Sequence, residues 1–535
     1  MSFRDSDTNQ SINKRENNYF VRKMHKIGRK FFSFFKLIFI GNTLPQNFFR
    51  LYFIIIAISS VLLWCPFSHE VTSTKQITIF DAIFIACSAF SNTGLSPVPI
   101  NENLSIWGKI ILVIDMEVGC LGAAAIIYCL WIFFRQKLDR KYKANPLILN
   151  VLQSERGGTN LYSAHKIVAV SMLSIVIAQL IFAFLYSFIF CFLPAYKQTV
   201  DHVTQITYDT EKMLPQFKNY GLSLWVGLFT SVSAMGNAGF EIISNWSVAP
   251  YRNDWGTLLQ FLLIFELTIG GLGPVVIFDI YEKIKMRRKN LTYNMTLFAK
   301  ISLWTYFIVS FLTIVFSFLC EILNRSSPIW TCANEHKEFG NAILYNKCMC
   351  LIYNVLDTRC LGMSTIAPHA LSEPTKWLYI LSMFIGGSPA STAGGIRTTT
   401  IAIVCITLFA KILGRDKVIL SNHKLDEGTI KDAFIVLFAS ELLIVIGSFV
   451  IWSSIPALQS HNFTITDIVF EIMSAFGTVG LSFGITSVVK WWGLLYLILL
   501  MFIGQLGVLS TITVTTKKNT HFNELDYPIE EVKVA

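Results

Sequence analysis

Long apolar runs alternate with short polar ones between residues 48 and 514, and the runs come in pairs. Within each pair, the first run is followed by a shorter apolar segment that ends in a glycine, and then by the second run. A helix needs about 20 apolar residues to cross a bilayer, so the long runs predict spanning helices, whereas a segment of about ten residues predicts a re-entrant half-helix. The first runs cover residues 48–65, 167–193, 295–320 and 434–452, and the second runs cover 106–134, 255–280, 377–413 and 491–514.

Internal repeats connect the four pairs. TIFDAIFIACSAFSNTGLS, from Thr78, matches TITDIVFEIMSAFGTVGLS, from Thr464, at ten of nineteen positions, and SVSAMGNAGFE and NVLDTRCLGMS carry a weaker form of the same ending. The second runs also share a motif: VGCLG at 118–122, IGGLG at 269–273, IGGSP at 385–389 and IGQLG at 503–507. The sequence therefore predicts an all-α membrane protein with four helix–pore loop–helix repeats, that is, eight transmembrane helices and four re-entrant half-helices around a pseudo-four-fold central pore.

The repeats also set the predicted domain boundaries. We expect a basic amino-terminal segment at 1–47, repeats at 48–140, 141–290, 291–415 and 416–516, and a carboxy-terminal tail at 517–535.

Composition and charge agree with a membrane location. The chain is 53% hydrophobic and 15% charged, with a net charge of +10 carried in short basic clusters such as 135–143 and 283–289. Basic loops stay on the cytoplasmic side, which predicts a multi-pass protein of the cell membrane with both termini in the cytoplasm. The clusters do not form one basic face, so no nucleic acid is expected as a partner. The first 30 residues are polar and predict no cleavable signal peptide, and no common hydrolase or nucleotide-binding motif predicts an enzyme.

The glycine-bearing bends are the candidate ion site. Non-helical backbone at membrane depth must line a cavity or be buried in protein, and its carbonyl oxygens can replace the water shell of a cation. We expect the half-helices to begin at Asp81 and Asp467, where a carboxylate favours a helix amino terminus. The predicted selectivity filter, with potassium as the bound ion, consists of Asn92, Thr93 and Gly94; Asn237, Ala238 and Gly239; Cys360, Leu361 and Gly362; and Thr478, Val479 and Gly480. The alternative is that these glycines only allow close helix crossings.

A run of small residues interrupts the third repeat's second helix and is the candidate gate. It consists of Gly386, Gly387, Ser388, Pro389, Ala390, Ser391, Thr392, Ala393, Gly394 and Gly395. Helix-breaking residues at membrane depth predict a flexible loop below the filter. The alternative is an ordinary cytoplasmic turn between two short helices.

FIGGSPASTAGGIRTTT, from Phe384, resembles the gating loop of the Trk/Ktr/HKT superfamily of potassium and sodium transporters, and GTVGLS, GNAGF and TRCLG resemble its filter segments. The resemblance covers residues 48–516 and is strongest to Ktr-type membrane subunits. It implies potassium uptake, a homodimer and a separate cytosolic nucleotide-binding regulatory subunit. Glycine at position 94 resembles the potassium-selecting members. A sodium-permeable or sodium-coupled member, and a secondary transporter with broken helices, remain as alternatives.

The chain departs from the family at Gln505, where the resemblance implies an arginine that contributes to the permeation barrier. We therefore include Gln505 with the gate and expect that the closed state leaks more, or that the loop alone forms the barrier. Asp115 and Glu266 lie at equivalent places in two second runs. Either they draw cations toward the pore, or they lie near the outer boundary or pair with a basic side chain between helices. One disulfide among Cys332, Cys348 and Cys350 is compatible with their place in a predicted outer loop.

Overall fold

The computed structural model describes residues 44–70, 76–121, 161–200, 206–244, 247–251, 255–324, 344–366, 368, 371–389, 391–415, 417–420, 423–456 and 463–515. The predictions for the amino-terminal segment, the basic cluster at 135–143, the boundary at 140, Ala390, Cys332 and the tail at 517–535 fall outside these residues. The chain forms two units, 1–55 and 56–535. Only the start of one helix is described in the first unit, and all contacts below belong to the second.

Helices make up most of the described chain. They are α1 (Leu44–Trp64), α2 (Ile79–Phe90), α3 (Ile100–Asn103), α4 (Ile106–Leu121), α5 (Leu161–Phe192), α6 (Tyr220–Gly236), α7 (Gly256–Arg288), α8 (Leu297–Leu323), α9 (Leu344–Asp357), α10 (Glu373–Phe384), α11 (Thr398–Ile412), α12 (Glu427–Ser454), α13 (Ile465–Gly477), α14 (Trp491–Leu506) and α15 (Val508–Thr515). Short 3-10 turns lie at Pro66–Ser68, Ala249–Tyr251 and Ile485–Ser487.

Four of the described helices are long and apolar enough to cross a membrane: Leu173–Phe192 within α5, then α7, α8 and α12. Shorter apolar helices occur at Tyr52–Trp64, Ile79–Phe90, Thr398–Ile412 and Trp491–Leu506. Long apolar helices with many exposed large hydrophobic side chains suit a lipid surface, since in lipid every backbone polar group must be satisfied within the helix.

Two small antiparallel hairpins depart from the predicted all-α chain. Strand β1 (Tyr196–Val200) pairs with β2 (Ile206–Met213), and β3 (Ile419–Leu420) pairs with β4 (His423–Lys424). Both lie in connections between the apolar runs on which the prediction rested, and neither hairpin was predicted. The described chain is mostly helical.

The short helices α2 and α13 begin two residues earlier than predicted, at Ile79 and Ile465. Thr78 and Thr464 are the N-cap residues, and Asp81 and Asp467 lie at the third helical position. In each helix the threonine hydroxyl accepts the aspartate N–H at 3.2 Å, while the aspartate carboxylate accepts the threonine N–H, at 3.0 Å in α2 and 2.8 Å in α13. The aspartate thus completes a capping box rather than starting the helix.

Two second runs are broken rather than continuous, which corrects the predicted helices at 255–280 and 491–514. Gly273 has φ 73° and ψ 163° inside α7, and Gly507 has φ 89° and ψ 140° between α14 and α15. These angles lie outside the helical region and are readily adopted only by glycine. Each break frees carbonyl groups of the preceding helical turn.

The helices pack in a cyclic order. Helix α4 contacts α6, α7 contacts α9, α10 contacts α13, and α14 contacts α2. In each pair, the helix that follows one of the short helices α2, α6, α9 and α13 lies against the next short helix in the chain, and the last of them, α14, lies against the first. This order brings the carboxyl ends of α2, α6, α9 and α13 together.

Candidate functional site

The same backbone bend follows each of the four short helices. A non-glycine residue with positive φ comes first, and a glycine with positive φ follows two residues later. The first residues are Asn92, Asn237, Cys360 and Thr478, with φ of 52°, 55°, 83° and 50°; the glycines are Gly94, Gly239, Gly362 and Gly480, with φ of 88°, 70°, 73° and 95°. Such angles are uncommon in residues with a Cβ. Their recurrence at one spacing marks four equivalent pieces of backbone.

Hydrogen bonds fix three of these bends in the same way. The N–H groups of Thr93, Ala238 and Val479 donate to carbonyls five residues earlier, at 2.9, 2.8 and 2.9 Å. The third bend differs, because Leu361 N–H donates to the Asp357 carbonyl four residues earlier at 3.0 Å, and the Asp357 carboxylate accepts Met363 N–H at 2.8 Å. A buried side chain there replaces part of the backbone pattern.

The four glycines lie against one another in a closed ring. A Cβ built on Gly94 would lie 2.7 Å from the Gly239 Cα, and one on Gly362 would lie 2.9 Å from the Gly239 Cα and 3.2 Å from the Gly480 Cα. A Cβ on Gly480 would lie 3.4 Å from the Gly94 Cα, which closes the ring in chain order. Real Cβ atoms essentially never approach other atoms more closely than 3.0 Å. Side chains are therefore excluded, and backbone alone meets here.

Carbonyl oxygens from three bends point at one place inside this ring. The position of a Cβ on Gly239 is 3.0 Å from the Thr93 carbonyl oxygen and 3.2 Å from those of Leu361 and Val479. The carbonyl oxygen of Ala238 lies 2.6 Å from the corresponding position on Gly94. Among the described residues, no group of three or more His, Cys, Asp or Glu could hold a metal. The ligands that this site presents are backbone oxygens.

All twelve predicted filter residues therefore belong to the same four bends, and the structure brings the bends together. Apart from the glycines, their exposed fractions are at or near zero: Asn92, Thr93, Asn237, Ala238, Cys360, Leu361, Thr478 and Val479 are all buried.

A second set of glycines supports the bends from behind. Gly119, Gly270 and Gly504 lie against the carbonyl groups of Phe90, Met235 and Phe476, each two residues before the first positive-φ residue of a bend. A Cβ would overlap each carbonyl, so the helices approach to backbone contact. The glycine at the corresponding place in IGGSP, Gly386, lies instead against the carbonyl of Gly394, because the chain there forms the loop at 386–395.

The loop at 386–395 packs directly against this site, not in a peripheral turn. Gly394 N–H donates to Thr478 Oγ1 at 2.8 Å, and Ser388 N–H donates to the Gly271 carbonyl at 3.0 Å. With its amide oriented to fit its neighbours, Asn237 Oδ1 accepts Thr392 Oγ1–H at 3.1 Å. Within the loop, Gly387 lies against Ser391 and Ala393. The loop therefore contacts the bend that begins at Asn237 and the bend that begins at Thr478.

Backbone hydrogen bonds and one isolated β-bridge, between Ile385 and Ile396, hold the two ends of the loop together. Gly386 N–H donates to the Ile396 carbonyl at 2.9 Å, and Thr398 N–H donates to the Gly387 carbonyl at 3.0 Å. Gly395 has φ 75°, and a Cβ built on it would lie 3.2 Å from the Phe384 carbonyl oxygen. The segment that includes Pro389 connects these two ends.

Arg359, within TRCLG, received no role from the sequence and proves to be a structural link. Its side chain is 1% exposed, donates to the Ile385 carbonyl at the start of the loop, and lies 4.6 Å above the Tyr306 ring. A buried cation needs such contacts, because desolvation disfavours its charge. An arginine inside an apolar segment was the available signal.

Asp115 and Glu266 bind hydroxyl groups between helices. Asp115 accepts Ser59 Oγ–H at 2.5 Å, and Glu266 accepts Tyr186 Oη–H and Ser231 Oγ–H, both at 2.6 Å. Neither forms an ion pair with a described basic residue. Glu266, in α7, therefore connects its own helix to α5 and α6. These contacts favour a packing role over attraction of cations.

Cys348 and Cys350 form no disulfide in the described structure. Cys332 lies outside the described residues.

Comparisons with known proteins identify the family. A family model described as TrkH, cation transport protein, matches residues 53–524. An uncharacterized cation transporter of Mycoplasma pneumoniae, the MG322 homolog, is 34% identical over 96% of this chain and 99% of its own length. The Ktr system potassium uptake protein D of Bacillus subtilis is 27% identical over 90% of this chain and 95% of its own length.

The fold agrees with that result. The crystal structure of the potassium transporter TrkH from Vibrio parahaemolyticus superposes with a TM-score of 0.61 over 89% of this chain and 86% of that chain, at 14% identity. A likeness at that identity shows the fold alone. Together with the family match over most of the chain, it shows that this protein is a transporter, not an enzyme, and belongs to the Trk/Ktr superfamily of cation transport proteins.

Proposed function

We propose that the chain takes up potassium across the cell membrane through a pore whose selectivity filter is the ring formed by Gly94, Gly239, Gly362 and Gly480. The observation that carries the proposal is the closed contact of these four bends, with carbonyl oxygens directed into the ring. The potassium uptake protein of the related Ktr system supports the choice of ion. We further propose four pore-loop repeats with eight spanning helices around a pseudo-four-fold axis.

Backbone carbonyls perform the chemistry in this proposal. They replace the water shell of the ion, and the carboxyl ends of α2, α6, α9 and α13 add partial negative charge. Sodium, the alternative ion, holds its water more tightly and needs shorter contacts. An inside-negative membrane potential supplies about 2.3 kcal/mol per unit charge per 100 mV, so uptake needs no ATP hydrolysis by this chain.

The loop at 386–395 is the proposed gate. It binds to the filter bends through neutral hydrogen bonds, which exchange more readily than buried ion pairs. Gln505 lies at the break before Gly507, beside the loop. From the resemblance to the superfamily, we also propose that the protein is a homodimer and that a separate cytosolic nucleotide-binding subunit regulates it. Both chain ends are proposed to be cytoplasmic.

Rubidium uptake by the purified chain in lipid vesicles tests the function. With potassium-loaded vesicles in a potassium-poor buffer, potassium efflux through the protein itself sets an inside-negative potential. We then expect uptake of radioactive rubidium, above that of protein-free vesicles, that competes with external potassium more strongly than with sodium. Uptake should persist without sodium and should not be coupled to protons. Uptake that requires sodium would favour the sodium-coupled alternative. Saturable, obligatorily coupled flux would favour a secondary transporter, and no uptake under any condition would contradict the proposal.

Loosening the gate should raise this flux. Thr478→Val keeps the shape of the side chain but removes the acceptor for Gly394 N–H. Loss of one hydrogen bond is worth about 1 kcal/mol, so the loop should leave its position more often and rubidium uptake should rise about fivefold. Thr407→Val is the matched control, because the Thr407 hydroxyl donates only to the Ile403 carbonyl of its own helix. Equal uptake by both variants would argue against the loop as a gate.

A further inference from the structure

Arg397 lies two residues after the loop and connects it to α14. Its guanidinium donates to the Ala393 carbonyl inside the loop and, through Nη2, to the Gln505 carbonyl at 2.7 Å. The Gln505 carbonyl is available because the helix breaks two residues later at Gly507. One side chain therefore bridges the loop and the broken end of α14.

The positive charge of Arg397 has no carboxylate partner within the described part of the chain. The ion pairs there are Lys285 with Glu282 and Lys376 with Glu373, both distant in sequence from this site. Only the dipoles of two carbonyl groups face the guanidinium in these contacts. An arginine stays charged under all ordinary conditions, so this is a fixed positive charge.

The charge lies close to the path proposed for the ion. Gly394, three residues before Arg397, donates its N–H to Thr478 Oγ1 at 2.8 Å, and Thr478 immediately precedes Val479, whose carbonyl oxygen faces the ring. The Ala393 carbonyl that holds the guanidinium is the neighbour of Gly394. Arg397 itself is the N-cap residue of α11, so its guanidinium contacts the loop only while the loop is docked beside it.

Position 505 carries no charge in this chain. Gln505 Oε1 is buried and has no hydrogen-bond partner among the described residues, so its side chain does not bind the guanidinium. Only its main-chain carbonyl does.

We propose that Arg397 is the residue that supplies the electrostatic barrier to cations while the loop is docked, in place of a charge at position 505. The inference rests on the proposed function of the loop as a gate. A fixed positive charge in a poorly screened site opposes the passage of a cation. When the loop leaves, the Ala393 carbonyl leaves with it, so the guanidinium loses one of its two contacts and is no longer held against the docked loop. No carboxylate is left unpaired, since none binds the guanidinium in the described part of the chain.

Charge substitution and charge exchange test this in vesicles that contain the full chain. Arg397→Gln should raise rubidium uptake about tenfold, because the repulsion is lost, whereas Arg397→Lys should stay within about twofold of the unmodified chain, because its charge remains. Arg397→Gln combined with Gln505→Arg should return uptake towards that of the unmodified chain, since the charge is restored across the same contact. Gln505→Arg alone should lower uptake.

Several results would overturn the inference. Equal increases in Arg397→Gln and Arg397→Lys would show that the side chain only clamps the loop, and unchanged uptake in Arg397→Gln would show that it forms no barrier. Failure of the double variant to reverse the increase, with the protein still eluting as a single folded species, would also contradict it. In each case uptake by the unmodified chain would leave the proposed function standing. Absence of uptake in the unmodified chain and in Arg397→Gln alike would instead reject both.

Discussion

Replacing Gly480 with alanine should reduce rubidium uptake by about 10- to 100-fold while the protein still folds. A Cβ at this position would collide with the Thr93 carbonyl and lie 3.4 Å from the Gly94 Cα. Overpacking of this kind costs about 1–3 kcal/mol, and every 1.4 kcal/mol is about tenfold. The collision is with backbone of the neighbouring bend, so no side chain can rotate away, and the carbonyl ring must deform.

Gly484→Ala provides a matched control for that experiment. Gly484 has φ 85°, close to the φ of 95° at Gly480, and a Cβ built on it would meet nothing within 4 Å. Both variants therefore carry the strain of a left-handed alanine, about 1–2 kcal/mol, but only Gly480→Ala places a methyl group in the ring. If both variants lose uptake equally, backbone strain explains the loss and the ring need not bind an ion.

Glu471→Ala should lower the free energy of unfolding by about 3 kcal/mol or more, which is the largest effect on stability that we expect from one side chain. Glu471 is fully buried in α13, and its carboxylate accepts Ser482 Oγ–H at 2.7 Å, Phe483 N–H at 3.1 Å and Thr486 N–H at 3.2 Å. It also accepts the Thr486 hydroxyl. Removing it takes this acceptor from two buried donors of Thr486 and from the partly buried donors of Ser482 and Phe483, in the segment that follows Gly480.

Thermal inactivation of the purified protein in detergent, followed by the fraction that remains monodisperse, measures this effect. The stability of Glu471→Gln should be intermediate. Its amide keeps one acceptor oxygen but places an NH2 group where the second carboxylate oxygen faced its donors. Glu441→Ala is the control, since Glu441 lies exposed on α12. Stability of Glu471→Ala equal to that of the control would show that the segment after the ring is held by other contacts.

The sequence predicted the convergence of the four bends because the repeats share a visible pattern. Glycines before a large apolar residue at 94, 239, 362 and 480 signalled equivalent backbone, and the structure brings these positions together. The loop was predicted as well, since small and helix-breaking residues interrupt an apolar run. Local composition is sufficient for such features.

Contacts between residues distant in sequence could not be predicted in the same way. Arg397 meets Gln505 across 108 positions of sequence, and Arg359 meets Ile385 across 26. The breaks at Gly273 and Gly507 were also missed. Both glycines lie in motifs that include other glycines inside regular helix, such as Gly270 and Gly504, and only the packed neighbours decide which glycine bends the chain.

The most direct test of the central claim is to locate a bound ion. Thallium is a heavy monovalent substitute for potassium, and its anomalous scattering can be mapped in crystals of the full chain grown with thallium in place of potassium. The account predicts a strong anomalous peak inside the ring, in contact with carbonyl oxygens of the four bends that contain Thr93, Ala238, Leu361 and Val479. Thallium bound elsewhere along the helices, with the ring unoccupied at the same concentration, would contradict it.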